Sequence, residues 1–206
     1  MSKTIDYYLS LQSPWTYLGH QRLADYAAKA GYAIKISPLD FSVVFPATGG
    51  LPLPKRSAQR QAYRMAELNR WREHLSVDLN LNPVFFPAAD RLAACCVISV
   101  RDNQSIDQNE AGRNAFALAG SILKAVWWEE KDIASESVLA ELIENAGSDA
   151  QSVLNNAQSE QTADTFLSDS NAAIERGVFG APTYAVGDQL FWGQDRLQFL
   201  ESALSA

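Results

Sequence analysis

Apolar and polar positions divide the chain into three stretches. In the first, residues 3–9 (KTIDYYL) alternate as a strand does. Ser13 and Pro14 then make a good N-cap followed by a first helical residue. Leu18, Leu23, Tyr26 and Ala27 keep helical spacing as far as Gly31, which ends the helix. Residues 32–39 (YAIKISPL) read as a second strand. Two strands joined by one helix make a βαβ unit, most simply parallel and right-handed.

From about Val43 to Gly177 almost nothing has a strand pattern. Residues 49–54 (GGLPLP) are a loop, and 57–75 read as a helix with Met65, Leu68, Trp71 and Leu75 on one side. The stretch NLNPVFFPAAD (80–90) is an irregular connector punctuated by proline. An alanine-rich helix near 90–101 and a strongly apolar one near 110–128 follow, then two short helices capped by Ser135 and Asp149. A last helix over about 160–176 stops at Gly177. Strand character then returns: residues 180–204 predict a strand, a Gly-Asp hairpin turn, a strand and a helix. The two ends therefore complete each other as one α/β sheet with helices on its faces. The expected division is 1–42 with 178–206 as the sheet domain, and 43–177 as an all-helical insertion.

Composition narrows the function. With 206 residues, of which 47% are hydrophobic, the chain can bury a real core. A formal net charge of −7 argues against nucleic acid as the main partner. No apolar run approaches the length of a membrane span. The segment MSKTIDYY has no apolar stretch of the secretory kind. The expectation is a soluble, cytoplasmic protein without a membrane partner. Cys95 and Cys96 are adjacent and form no C-x-x-C, so they read as small buried residues. His20 and His74 belong to no ligand-spacing motif, so no metal is expected.

Several residues carry two readings. Ser13 is a helix cap, or a hydroxyl donor to an anion held at the positive end of the helix. A Ser-His hydrolase has little support, since there is no G-x-S-x-G. Pro182 starts a strand, and the residues alone leave the bond from Ala181 trans. Asp195 caps the last helix or lies in its first turn, or, with Gln194, binds the ammonium group of an amino-acid-like ligand. Residues 55–74 carry six Lys or Arg and two Glu in an otherwise acidic protein. That face is solvated, or it recognises carboxylates. Arg60 and Arg64 lie one turn apart there, away from the Met65 and Leu68 side. Trp71, Trp127 and Trp128 are core aromatics, or walls of an aromatic pocket.

Four stretches taken together resemble one family. They are SPWTYLGHQRL (13–23), AYRMAELNRW (62–71), VWWEEKDIASESVLAELIENAG (126–147) and ERGVFGAPTYAVGDQLFWGQDRL (175–197). The sequence is similar over essentially its whole length to 2-hydroxychromene-2-carboxylate isomerases and the related kappa-class glutathione transferases. The resemblance implies a DsbA-type thioredoxin-like fold, βαβ–ββα with a large helical insertion. It implies glutathione as cofactor, a small aromatic carboxylate as substrate and a homodimer.

Residue by residue, Ser13 matches the serine that hydrogen-bonds the glutathione sulfur and favours its thiolate. Ala181 and Pro182 match the cis-proline step that pairs with the cysteinyl part. Gly193, Gln194, Asp195 and Arg196 match the segment holding the γ-glutamyl group, with Asp195 facing its ammonium. Arg60 stands where the family usually has a lysine that meets a glutathione carboxylate. Ser13 and Thr16 fill the slots where thiol-redox relatives carry two cysteines. The substrate half departs from the pattern: Gly50 replaces a frequent Asn, and Asp90 and Arg91 stand near a position where relatives place Asn and Tyr. The resemblance implies a glutathione-dependent cis-trans isomerase acting in aromatic hydrocarbon catabolism. The rival readings are a kappa-type glutathione transferase or peroxidase, and a non-catalytic thioredoxin-like binding protein.

Overall fold

The computed structural model describes residues 3–205; Met1, Ser2 and Ala206, which the expected domain limits include, lie outside the described residues. Strands β1 (Thr4–Leu9), β2 (Ala33–Pro38), β3 (Thr183–Val186) and β4 (Gln189–Trp192) form one mixed sheet of order β2-β1-β3-β4. β1 and β2 are parallel, with Thr4 opposite Ala33. β3 runs antiparallel to β1, with Tyr7 opposite Tyr184, and forms a hairpin with β4 through Gly187 and Asp188. Helix α1 (Pro14–Ala30) joins β1 to β2, and α9 (Leu197–Leu204) closes the chain. Between β2 and β3 the described elements are helical: α2 (Phe41–Thr48), α3 (Ala58–Leu75), α4 (Arg91–Arg101), α5 (Gln108–Trp127), α6 (Glu136–Asn145), α7 (Ala150–Ala157) and α8 (Glu160–Glu175), with a short 3-10 turn at Leu53–Lys55.

Local chemistry explains the boundaries of α1. Ser13 has extended backbone angles and its side chain accepts the N–H of Thr16, while Pro14 takes the first helical position. Gly31 ends the helix in the left-handed region, φ 69°, where a β-carbon would be strained. Lys29 stands in the last turn, where a cation suits the helix dipole.

The pleat of β1 sorts its side chains onto two faces. Ile5, Tyr7 and Leu9 enter the main core, which also holds Ile98, Ile122 and Trp127 from the helical block. Tyr8 points the other way, into a smaller cluster with Leu39, Val44, Ala173 and Ala185. Helix α2 supplies Val44 to that cluster and is an element the hydrophobic pattern does not announce. Its eight residues, FSVVFPAT, hold two valines and an internal Pro46, all poor helix formers. Asp40 starts it by accepting the N–H of Ser42 at 2.9 Å, and burial of Val44 holds it in place.

Candidate functional site

The sheet register gathers one set of residues at one end. Tyr8 of β1 pairs with Thr183 of β3, so the chain just beyond β1 runs beside Ala181 and Pro182. Thr183 also pairs with Trp192, and the N–H of Gly193 donates to the carbonyl of Pro182 at 2.8 Å. Ser13 N donates to Ser10 O at 3.1 Å, which folds the β1–α1 turn back on itself. Ser13, Ala181–Pro182 and Gly193–Asp195 therefore share the edge of the sheet at the N terminus of α1. The Ala181–Pro182 bond is cis, against the trans bond that the residues alone suggest and as the family resemblance implies. A second cis bond precedes Pro87.

Ser13 caps α1 and keeps its own hydroxyl proton unclaimed. Its Oγ accepts from Thr16 N at 3.3 Å, which is the cap. A hydroxyl has one donor and two acceptor sites. Among the described residues the Ser13 proton has no acceptor, so it remains available for an anion at the helix end. Thr16, three residues on, is fully buried and its Oγ1 has no hydrogen-bond partner. One partly exposed hydroxyl, that of Ser13, and the N terminus of a 17-residue helix thus stand together at this turn, with Thr16 buried behind them. The donor set fits a sulfur anion and offers no nucleophile of its own.

The residues 193–196 divide their labour. Gly193 has φ 96°, a conformation that other residues adopt only under strain. Gln194 does not present its side chain to a ligand. It is 1% exposed, and Arg22 donates to its Oε1 at 2.7 Å and to its main-chain oxygen at 3.3 Å. Arg22 was not identified from the sequence: it lies on α1, 172 residues away in the chain. Gly19 brings the same helix close, since a β-carbon on it would sit 2.5 Å from Tyr184 Oη and 3.0 Å from Gln194 Cβ. Asp195 neither caps α9 nor lies in it; it occupies a 3-10 turn and pairs with its neighbour Arg196, both half-exposed. Its carboxylate is accessible to a ligand ammonium that displaces Arg196.

Arg60 and Arg64 stand one turn apart on α3, but only Arg64 reaches core aromatics. Arg60 is in the first turn of α3, exposed, with its N–H capped by Ser57 Oγ, and it bonds none of the residues above. Arg64 turns inward, its guanidinium 5.3 Å from the Phe86 ring and 6.0 Å from that of Trp127. A helical wheel drawn for α3 alone cannot foresee this, because both rings arrive from distant segments. Trp127 is buried and Trp71 packs against the core, whereas Trp128 is 47% exposed and not a core residue.

Asp90 forms a further wall. It sits at the N-cap position of α4 yet makes no cap bond. Instead its Oδ2 accepts from Ser10 Oγ at 3.3 Å, in the turn that leads to Ser13. Burial pushes its carboxyl above the usual range, against the opposing pull of bonds from Ser10, its own N–H and Gln12; the Asp40 charge adds to the rise.

The other reactive groups are inert. His20 donates from Nε2 to the Phe116 carbonyl at 3.1 Å and accepts at Nδ1 from Tyr7 Oη at 3.2 Å. Burial draws its pKa down to about 4, against the Phe116 bond, so it is a neutral core residue with no nitrogen left for Ser13. Cys95 and Cys96 are buried and unpaired, and burial pushes the Cys96 thiol up to about 12. The concavity beside Asp6 and Tyr8 holds arginines that are already matched: Arg176 with Asp6, Tyr8 Oη and Gly187 O, and Arg101 with Asp169 and Asp102. Among the described residues no helix is long and apolar enough to cross a membrane.

A sheet of this order with a helical block between β2 and β3, and a helix N terminus facing a cis-proline, define a class. The chain belongs to the DSBA-like thioredoxin domain family, whose model matches residues 4–205. Within it, the chain is 33% identical to a 2-hydroxychromene-2-carboxylate isomerase of Sphingobium xenophagum, over 99% of both proteins. It is 31% identical to one of Pseudomonas putida, over 97% of this chain and 93% of that one. A solved 2-hydroxychromene-2-carboxylate isomerase superposes with a TM-score of 0.78 at 29% identity, covering 98% of this chain and 94% of that one. The disulfide reductase DsbM from Pseudomonas aeruginosa, solved with glutathione, shares the fold at a TM-score of 0.66 and 19% identity, covering 98% of this chain and all of that one.

Proposed function

We propose that this protein is a glutathione-dependent isomerase. It converts 2-hydroxychromene-2-carboxylate, or a similar bicyclic aromatic acid, to trans-o-hydroxybenzylidenepyruvate in aromatic hydrocarbon catabolism, as a cytoplasmic homodimer. The observation that carries the reading is the Ser13 hydroxyl. It caps α1 through its lone pair, keeps its proton unclaimed, and stands where the redox members of the fold have a cysteine. The names of the near-full-length relatives supply the reaction, and the glutathione held by DsbM shows that a protein of this fold takes that tripeptide.

Bound glutathione would supply the thiol nucleophile that the site lacks, as a cofactor recovered unchanged after each turnover. The chain's own residues bind and orient. Ser13 donates its proton toward the sulfur, and the α1 dipole lowers the cost of negative charge there. The main chain at Ala181, presented by cis-Pro182, pairs with the peptide part of the cofactor. Asp195 meets the γ-glutamyl ammonium, with Gly193 and Arg196 shaping that end and Gln194 bracing the turn from inside through Arg22. Arg60 meets a glutathione carboxylate with a planar fork in place of a lysine point charge.

Counting thiols tests the reading. In a mixture of 2-hydroxychromene-2-carboxylate, glutathione and enzyme, substrate disappearance is expected with no loss of free thiol and with many turnovers per glutathione. Stoichiometric thiol loss would instead make the protein a kappa-type transferase. No conversion, with no thermal shift on adding glutathione, would make it a binding protein.

A further inference from the structure

The other partly buried arginines all find oxygen acceptors: Arg22 donates to Gln194, Arg56 to the Leu51 carbonyl, and Arg72 to Asn69 and the Leu79 carbonyl. Arg101 meets Asp102 and Asp169, and Arg176 meets Asp6. Arg64 is the exception. Its one side-chain hydrogen bond runs from Nη1 to the Met65 sulfur at 3.6 Å, a weak acceptor. Among the described residues it has no carboxylate partner, although the chain carries 24 Asp and Glu. Burial, and then the like charge of Arg56, draw its pKa down to about 10, as befits a cation that lacks a counter-ion. Beside it the Nε1–H of Trp127 is buried and unpartnered. Phe86 and Trp127 lie 4.9 Å apart and tilted, forming an aromatic wall against the guanidinium.

One short segment joins this cluster to the turn before Ser13. Phe86 is four residues before Asp90, a span of at most about 14 Å of extended chain, and Asp90 touches Ser10 in the turn before Ser13. The charges also set a direction. An anion is repelled at the Asp90 end and attracted at the Arg64 and Arg56 end.

We propose that Arg64, backed by Arg56 and flanked by the half-buried Phe86 ring, is the binding site for the carboxylate of a planar aromatic acid. It rests on the reading above in that it names where the acid end of the substrate docks. A guanidinium can grip both carboxylate oxygens, and the exposed part of the Phe86 ring can receive the flat body of the ligand.

Calorimetric titration with trans-cinnamate and with its neutral amide tests this, with and without glutathione. The full chain is expected to bind the acid at least about tenfold more tightly than the amide, the scale of one charge-assisted contact. Arg64→Gln should weaken the acid by about tenfold or more and leave the amide and glutathione affinities unchanged. Arg64→Lys, which keeps the charge, should retain a preference for the acid, and serves if the glutamine variant does not fold. Equal binding of acid and amide by the wild type, or by Arg64→Lys, overturns the proposal. So does an Arg64→Gln protein that binds cinnamate as the wild type does, or a wild type that binds no cinnamate under either condition. Loss of cinnamate in Arg64→Gln supports the site even if glutathione fails to bind; that failure would sink the cofactor reading alone.

Discussion

Ser13→Ala lowers kcat/KM for isomerisation by about a hundredfold, the scale on which loss of one positioned donor to a catalytic anion is felt. The same change removes an N-cap and costs about 1 kcal/mol of stability, so the two effects must be separated. Ser13→Gly separates them, because glycine at an N-cap costs only a few tenths of a kcal/mol but carries no hydroxyl. Both variants are expected to lose activity alike, while the melting temperature falls mainly in the alanine variant. The acidic limb of the pH profile should move to higher pH in both, since a thiol without its donor ionises later. Kinetics and thermal melts on the two variants check this, and activity within threefold of wild type in Ser13→Gly removes the hydroxyl from the mechanism.

The second large effect concerns stability. His20 is enclosed by Tyr7 and by Phe116, whose ring stacks on it at 3.9 Å, and a β-carbon on Gly120 would lie 2.9 Å from its Nε2. Its pKa is about 4 in the folded state against 6.5 for an ordinary histidine. The unfolded chain therefore takes up a proton before the folded one does. The contribution is fully present above the unfolded value and is lost as pH falls through the folded value. About 2.5 pKa units correspond to about 3 kcal/mol lost between pH 7 and pH 4. His20→Gln removes this component, so its urea-unfolding free energy should fall less over that interval than that of the wild type. Parallel losses in the two proteins would place the acid sensitivity elsewhere.

Much of the fold was legible because local and tertiary signals agree. Ser13-Pro14 and Asp149 cap the helices that their positions announce, Ser135 holds the N-cap position of α6 without a side-chain cap bond, and Gly31 ends α1 in the conformation that glycine allows. The alternation in 3–9 matches the two faces of β1. Helix α2 was not legible: two valines and a proline do not specify a helix, and it exists because Val44 is buried beneath the sheet. The site divides in the same way. Ser13 could be read as a cap from Pro14 beside it, whereas Gly193 entered only through the family resemblance. The inward turn of Arg64, the burial of Gln194 and the turn of Asp90 toward Ser10 depend on partners that arrive from far along the chain. Asp90 was further concealed because aspartate before a helix reads as its cap.

On the function proposed above, the protein steadies a thiolate that it does not itself provide. The ultraviolet absorbance of the thiolate, titrated with pH on the complex with glutathione, tests it most directly. Bound glutathione is expected to ionise about one pKa unit or more below an ordinary free thiol, and to return toward that value in Ser13→Gly. A bound thiol that titrates with free glutathione, or a lowered value that survives loss of the Ser13 hydroxyl, would contradict the account.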